Sequence, residues 1–525
     1  MLVFVSFVFL ALVIRLPFLI MSKAGSTNDR MGVYSKLLFL SKSSFNSYKI
    51  GDAINHEGFF PRPNLLHYIV SRLPRKLWRI ALVLGNVLPD IIVGLLLVVY
   101  LDYCSLVALF SLESSLVFLA FTSGPILFPQ TARLKATNGR TLGFMLSAIY
   151  FVALFELSLQ SDQMSLVWIV GTAIICLFLV FWTSTFASQA VLFLSVAFAL
   201  VSLDLRLLIP LAIFLPLAWF VKPLGVKSLI QFKLAHTKFY ARVLMSSFST
   251  RKRGLLNFVK LLDPSLKRAE RIDLILKHSP IIIATYSIPA VFLLFFLWNQ
   301  DALSLSSSFA KTQIEFAFAI FLVFIITSIS WGKLFGESER YLEYAQFSLL
   351  ALLATSFSNS DVSFILSLIS LQFCIIGIVS LLTIPGTIEK FTTFQGTYPQ
   401  EVKEIVEYLH QIDGQKNVLC VPLRFSRALS SYSMSSGYSD IKYYYRLVVS
   451  GENTATYLDQ SMEEMHDQNI PALSPKEFNA RYEVNYFVLS EGFEAESKFY
   501  DELESQTNVI LKTDSISLRS LKEAS

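Results

Sequence analysis

The sequence predicts a membrane-embedded all-α bundle of about eleven transmembrane helices followed by a soluble α/β domain. Three observations carry that fold class. Of 525 residues, 54% are hydrophobic and only 16% charged, with a mean hydropathy of +0.55, whereas a soluble chain of this size carries about 25% charged residues. Apolar runs long enough to cross a bilayer recur from Met1 to about Pro385 and then stop. The charge is lopsided as well. From Thr387 onward there are 21 acidic and 13 basic residues, although the whole chain is net +5. The boundary therefore falls between a membrane domain, residues 1–389, and a C-terminal domain, residues 390–525.

The apolar runs place spans near 1–21, 79–101, 105–127, 142–159, 166–184, 187–203, 206–221, 280–298, 314–331, 344–357 and 363–385. Each is read as a helix, because an unclosed strand would leave backbone amides and carbonyls unpaired in lipid. The first run has no basic segment before it and no clean small-x-small site after it, so it reads as a retained span rather than a cleaved signal. The pair 187–221 is split only by Asp204 and Arg206, and 344–357 is short. The four cysteines, Cys104, Cys176, Cys374 and Cys420, show neither disulfide nor metal-ligand spacing.

Eleven spans put the large polar segments on one side: the loop Ser22–Trp78, the stretch Phe128–Thr141, the segment Lys222–Ser279, the loop Gly332–Glu343 and the C-terminal domain. The segment 222–279 holds 13 basic residues against Asp263, Glu270 and Asp273, which points to anionic lipid or lipid-linked phosphate rather than nucleic acid. By the distribution of Lys and Arg, this loaded face is cytoplasmic.

In the C-terminal part, Val402, Ile405, Val406 and Leu409 have helical spacing within Pro399–Gln411, and Gly414 follows as a stop. Asn417–Pro422 and Val484–Leu489 read as strands. Ser474 can cap a helix from Pro475 to about Arg481. Glu494–Ser505 reads as a helix, and Val509–Lys512 and Ile516–Arg519 as strands. This alternation favours a layered α/β sandwich.

The first polar loop is the richest stretch. Asp29 stands in Ser26-Thr27-Asn28-Asp29-Arg30, with Tyr34 five residues on, and Pro63-Asn64-Leu65-Leu66-His67 closes the loop. A carboxylate at a membrane surface can accept a proton from an alcohol or hold a divalent cation. The plainer alternative is that Asp29 caps the amphipathic stretch Met31–Leu40. Later, Arg340 and Tyr341 stand in Gly336-Glu337-Ser338-Glu339-Arg340-Tyr341, just before a span. An arginine at a helix N-terminus can bind phosphate, or it can simply balance the charge of the helix start.

Asp29, Tyr34 and Pro63–His67 resemble, in order and spacing, the first extracytoplasmic loop of GT-C superfamily glycosyltransferases, integral membrane enzymes that take sugars from polyprenyl-phosphate donors. The Glu339-Arg340-Tyr341 motif is similar to one common in bacterial members. Pro399–Leu419 and Arg481–Val488 resemble parts of the soluble domain that follows the last span in these enzymes. The resemblance covers most of the chain as architecture, on short motifs. It departs from the best-known members at Asn28-Asp29, where many have paired acids, and at Phe128–Thr141, where Arg133, Lys135 and Arg140 stand in place of a second acidic pair.

The resemblance implies a bacterial inner-membrane enzyme with its loops and C-terminal domain outside, the opposite orientation to that given by the charge count. It implies inverting transfer of a sugar to a lipid, polysaccharide or protein acceptor, with Asp29 as base. Arg340, Tyr341, Arg133 and Arg140 would bind the donor phosphate, and Tyr34, His67 and Glu57 are weaker substrate contacts. No cofactor is implied. Cationic side chains at Phe128–Thr141 favour direct phosphate binding, and a divalent metal stays open. The alternatives are a polysaccharide polymerase or ligase, and a lipid-linked-sugar flippase.

Overall fold

A computed structural model of the chain describes residues 65–123, 139–159, 165–221, 254–267, 307–329, 332–335, 338–355, 399–421, 441–444, 448–451, 454–457, 474–490 and 498–522. It also describes short pieces near 5–11, 37–41, 226–234, 270–281, 363–374 and 428–438. All regular elements of the membrane part are helices among the described residues. Its elements are α1 (Leu65–Ser71), α2 (Trp78–Tyr103), α3 (Leu112–Ser123), α4 (Arg140–Leu159), α5 (Leu166–Thr183), α6 (Thr185–Ser202), α7 (Ile209–Phe220), α8 (Ser308–Ser328) and α9 (Ala345–Thr355).

Five of these helices, α2, α4, α5, α6 and α8, are long and apolar enough to cross a membrane. Their polarity is inverted relative to a soluble bundle. In α2, Asn86 and Asp90 are buried, while Ile80, Leu84, Leu88 and Ile92 form an exposed apolar stripe at four-residue spacing. The outward residues of α5 and α7 (Val167, Trp168, Ile175, Ile213, Phe220) are apolar too. Such a surface is stable against lipid, and polar groups stay inside where partners can reach them. The interior is aromatic. Phe155, Phe198 and Phe316 meet pairwise with ring centroids 5.0–6.0 Å apart and join α4, α6 and α8.

The spans expected at 79–101, 142–159, 166–184, 187–203 and 314–331 correspond to the five long helices, although α8 starts earlier, at Ser308, where the Ser307 hydroxyl accepts from the Ala310 amide. Three expectations need correction. The run 105–127 does not begin as helix. Cys104–Ser111 forms a turn with Ser105 and Phe110 at positive φ, and α3 starts only at Leu112. The run 206–221 opens as the 3-10 helix Leu205–Leu208 before α7, because Asp204 bonds the Arg206 amide and guanidinium and tightens that turn. The run 344–357 is preceded by a second 3-10 helix, Ser338–Tyr344. A span count of eleven is not given by the described residues, which hold two further shorter apolar helices besides the five long ones. The runs 1–21, 280–298 and 363–385 lie largely outside them.

The C-terminal domain is a five-stranded mixed sheet in the order β2-β1-β5-β7-β6. Its strands are β1 (Lys416–Val421), β2 (Ile441–Tyr444), β5 (Tyr486–Ser490), β6 (Thr507–Lys512) and β7 (Ile516–Leu521). A separate hairpin pairs β3 (Val448–Gly451) with β4 (Thr454–Tyr457). β1 is parallel to β2 and β5, and β7 is antiparallel to both β5 and β6. The period-2 alternation of a strand sorts the core into two layers. Val418, Cys420 and Val488 pack with α10 (Gln400–Gln411) through Val402, Ile405, Val406 and Leu409. Leu419, Val421, Phe487 and Leu489 pack with Phe478 of α11 (Pro475–Tyr482) and Phe499 of α12 (Lys498–Gln506). The Ser474 cap is a full capping box with Glu477. The expected helix 494–505 is described from Lys498, and β2 to β4 were not expected at all. Their sequences, rich in Tyr, Ser and Thr, lack an apolar alternation.

Candidate functional site

One end of the helical bundle gathers cations. α4 runs away from this end, α5 returns to it, and α6 leaves again after a corner of a single extended residue, Ser184. Two glycines let α4 close on that corner. A Cβ on Gly139 would lie 2.5 Å from the Thr183 carbonyl oxygen, and one on Gly143 would lie 2.6 Å from Ser184 Cβ and 2.8 Å from Ala187 Cβ. Arg140, the first residue of α4, is therefore pressed toward the first turn of α6. Its guanidinium carbon lies 5.1 Å from the centre of the Phe186 ring.

Arg340 arrives at the same ring from a distant part of the chain, 5.7 Å from its centre. The 3-10 helix Ser338–Tyr344 that carries it is fixed by its neighbours. The buried Tyr341 hydroxyl donates to the Phe335 carbonyl at 3.1 Å and accepts from Gln189 Nε2 at 2.8 Å. Its ring packs on Phe186, and Tyr344 packs on Phe144, one turn beyond Arg140. Burial pushes the Tyr341 phenol pKa up, so the group stays protonated as a donor. Glu343 of the same segment is buried and ion-paired with Arg140 at 2.6 Å. Thr141 donates to Asn86 Oδ1 of α2 at 3.4 Å, which ties a third helix to this corner.

A third cation reaches the start of α6. Lys233, in the basic segment after α7, donates its ammonium to the Thr185 carbonyl and to Ser188 Oγ. Loss of water around the ammonium lowers its pKa from the ordinary lysine value to about 7. Arg140, Arg340 and Glu343 thus gather at the start of α6, and Lys233 bonds the first turn of the same helix. Aromatic rings there limit water, so each charge acts at longer range than in bulk solvent.

The predicted site residues fall differently. Arg140 and Arg340, 200 positions apart in sequence, both lie against the Phe186 ring. Arg340 does not stand at an α-helix N-terminus as expected. It lies inside a 3-10 helix, and α9 begins at Ala345. Tyr341 has no exposed surface, and both its hydroxyl contacts are internal, so its described role is to hold the segment. His67 lies buried on α1, in the small core formed with Leu66, Val70, Trp78 and Leu82. Asp29, Tyr34, Glu57 and Arg133 lie outside the described residues, so their spacing to the cluster is not defined. Among the described residues, no group of three His, Cys, Asp or Glu side chains is placed to hold a metal ion. Sequence reading missed Glu343, Phe186, Gln189 and Lys233 as partners. The available signals were a glutamate at the edge of an apolar run and a glutamine inside one.

No protein-family model matches the chain, and no curated protein matches it. The class that the observed features fit is a helical membrane protein with a small C-terminal sheet domain and a half-buried cluster of cationic side chains at one end of its bundle.

Proposed function

We propose that the chain is a membrane glycosyltransferase that uses a polyprenyl-phosphate-linked sugar and binds the donor phosphate at the Arg140–Arg340 cluster. The observation that carries this reading is the convergence of Arg140 and Arg340 on Phe186 at one end of the bundle. Guanidinium groups match the oxygens of a phosphate in pairs, and a dry setting strengthens that contact. Glu343 neutralises Arg140 by a direct ion pair. Tyr341 is a positioning residue here. The assignment of sugar transfer itself comes from the loop with Asp29, whose carboxylate would take the proton of the acceptor hydroxyl while polyprenyl phosphate departs with the electrons of the broken C–O bond. In this reading the bundle has about eleven spans and lies in a bacterial inner membrane, with the cationic end and the C-terminal domain outside.

A lipid-linked-sugar flippase is the second reading, and Asp90 favours it. This carboxylate is fully buried in α2 directly after Pro89, and an ionisable side chain inside a membrane helix is a feature of transport pathways. One experiment separates the two. An Asp29→Asn variant of confirmed membrane expression is compared with a deletion strain by mass spectrometry of glycolipids and surface glycans. Loss of one sugar unit in both strains is the expected result. Full restoration by the variant would sink the base assignment and promote the flippase.

A further inference from the structure

We infer that residues 255–262 form an interfacial element that lies on an anionic lipid surface, inserting one row of apolar side chains. Leu255–Leu262 is a 3-10 helix, and in a 3-10 helix residues three apart eclipse each other. Leu256, Val259 and Leu262 therefore stand in one straight row, and they are 68%, 49% and 83% exposed. The neighbouring row, Leu255, Phe258 and Leu261, is apolar and partly exposed, while the third row holds only Asn257 and Lys260. Two apolar rows and one polar row on a short helix are the pattern of a segment lying in the plane of an interface.

Charge names the surface. From Arg251 to Arg271 the sequence holds Arg251, Lys252, Arg253, Lys260, Lys267, Arg268 and Arg271 against Asp263 and Glu270. Asp263 is itself engaged, its carboxylate accepting from the Ser265 amide and hydroxyl, which holds its pKa below the usual range. Basic residues flanking an apolar row in the sequence complement anionic headgroups. A neutral membrane would gain only the apolar part. The chain also holds five helices long and apolar enough to cross a membrane.

The three-residue period makes the test specific. Full-length protein carrying Cys104→Ser and Cys374→Ser, which leaves only the buried Cys176 and Cys420, receives single cysteines at Leu256, Val259, Leu262 or Lys260. Each is labelled with an environment-sensitive dye and reconstituted in phosphatidylcholine vesicles with or without one-third phosphatidylglycerol. With phosphatidylglycerol, the labels at 256, 259 and 262 should be quenched by shallow nitroxide lipids. Their quenching by aqueous iodide should be at least about threefold weaker than that of the label at 260. Adding Lys267→Glu should restore iodide quenching in the row. The proposal is overturned if iodide reaches all four labels equally, which means the row faces water. It is equally overturned if neither quencher reaches the row, which means protein covers it, or if phosphatidylglycerol changes nothing.

Discussion

Arg140 and Glu343 form an ion pair inside the bundle, at 2.6 Å and with the carboxylate almost inaccessible. Such a pair adds little over a well-packed apolar pair, but breaking it from one side is costly because the other charge stays buried. Glu343→Gln should therefore lower the unfolding free energy by about 3 kcal/mol, read as a drop in the thermal midpoint of the purified protein. The double variant Arg140→Leu/Glu343→Leu should cost less than that single change, since no charge is left behind. A double variant at least as damaged as Glu343→Gln would show that shape, not charge pairing, dominates here.

At the scale of elements, the cationic end depends on close approach of three helix ends. Gly143 faces Ser184 and Ala187 across a gap that a Cβ would close to 2.6 Å. Gly143→Leu should push α4 off the corner, cost about 1–3 kcal/mol, and weaken anion binding at the same time. The same change at Gly171, which has open space around it, should leave both nearly unchanged and is the natural control. In the C-terminal domain, Asn417 and Asn485 brace the starts of β1 and β5. The Asn417 amide donates to Asn485 Oδ1 at 2.8 Å, and Asn417 Nδ2 donates to the Glu483 carbonyl at 2.9 Å. The stretch Arg481–Val488, one of those carrying the family resemblance, thus has a structural explanation in this strand pairing.

At the scale of the molecule, the sequence was most legible where hydropathy alone decides. The five long helices sit where apolar runs sit, and the strands β1, β5, β6 and β7 follow alternation or short apolar runs. It was less legible at 104–111 and 338–344, where apolar composition continues but positive-φ turns or 3-10 geometry replace α-helix for local reasons. The two arginines were visible as candidates, because cations near span ends are conspicuous. Their meeting was not, since Phe186 and Glu343 are tertiary partners with no sequence spacing in common. The inward-facing Asp90 was also passed over, hidden in a run that scores as uniformly apolar.

The claim at the centre of the proposed function is that the cluster around Phe186 binds a lipid-linked phosphate through Arg340. The most direct measurement is equilibrium binding of a polyprenyl phosphate to the full-length protein in lipid nanodiscs, with the uncharged polyprenol as reference. Replacing Arg340 by Gln removes one charge-assisted contact worth about 1.5–3 kcal/mol, so the phosphate should bind roughly 10- to 100-fold more weakly while polyprenol binding stays the same. Equal affinity of wild type and Arg340→Gln for the phosphate would contradict the assignment and leave Arg340 as a structural cation of the bundle end.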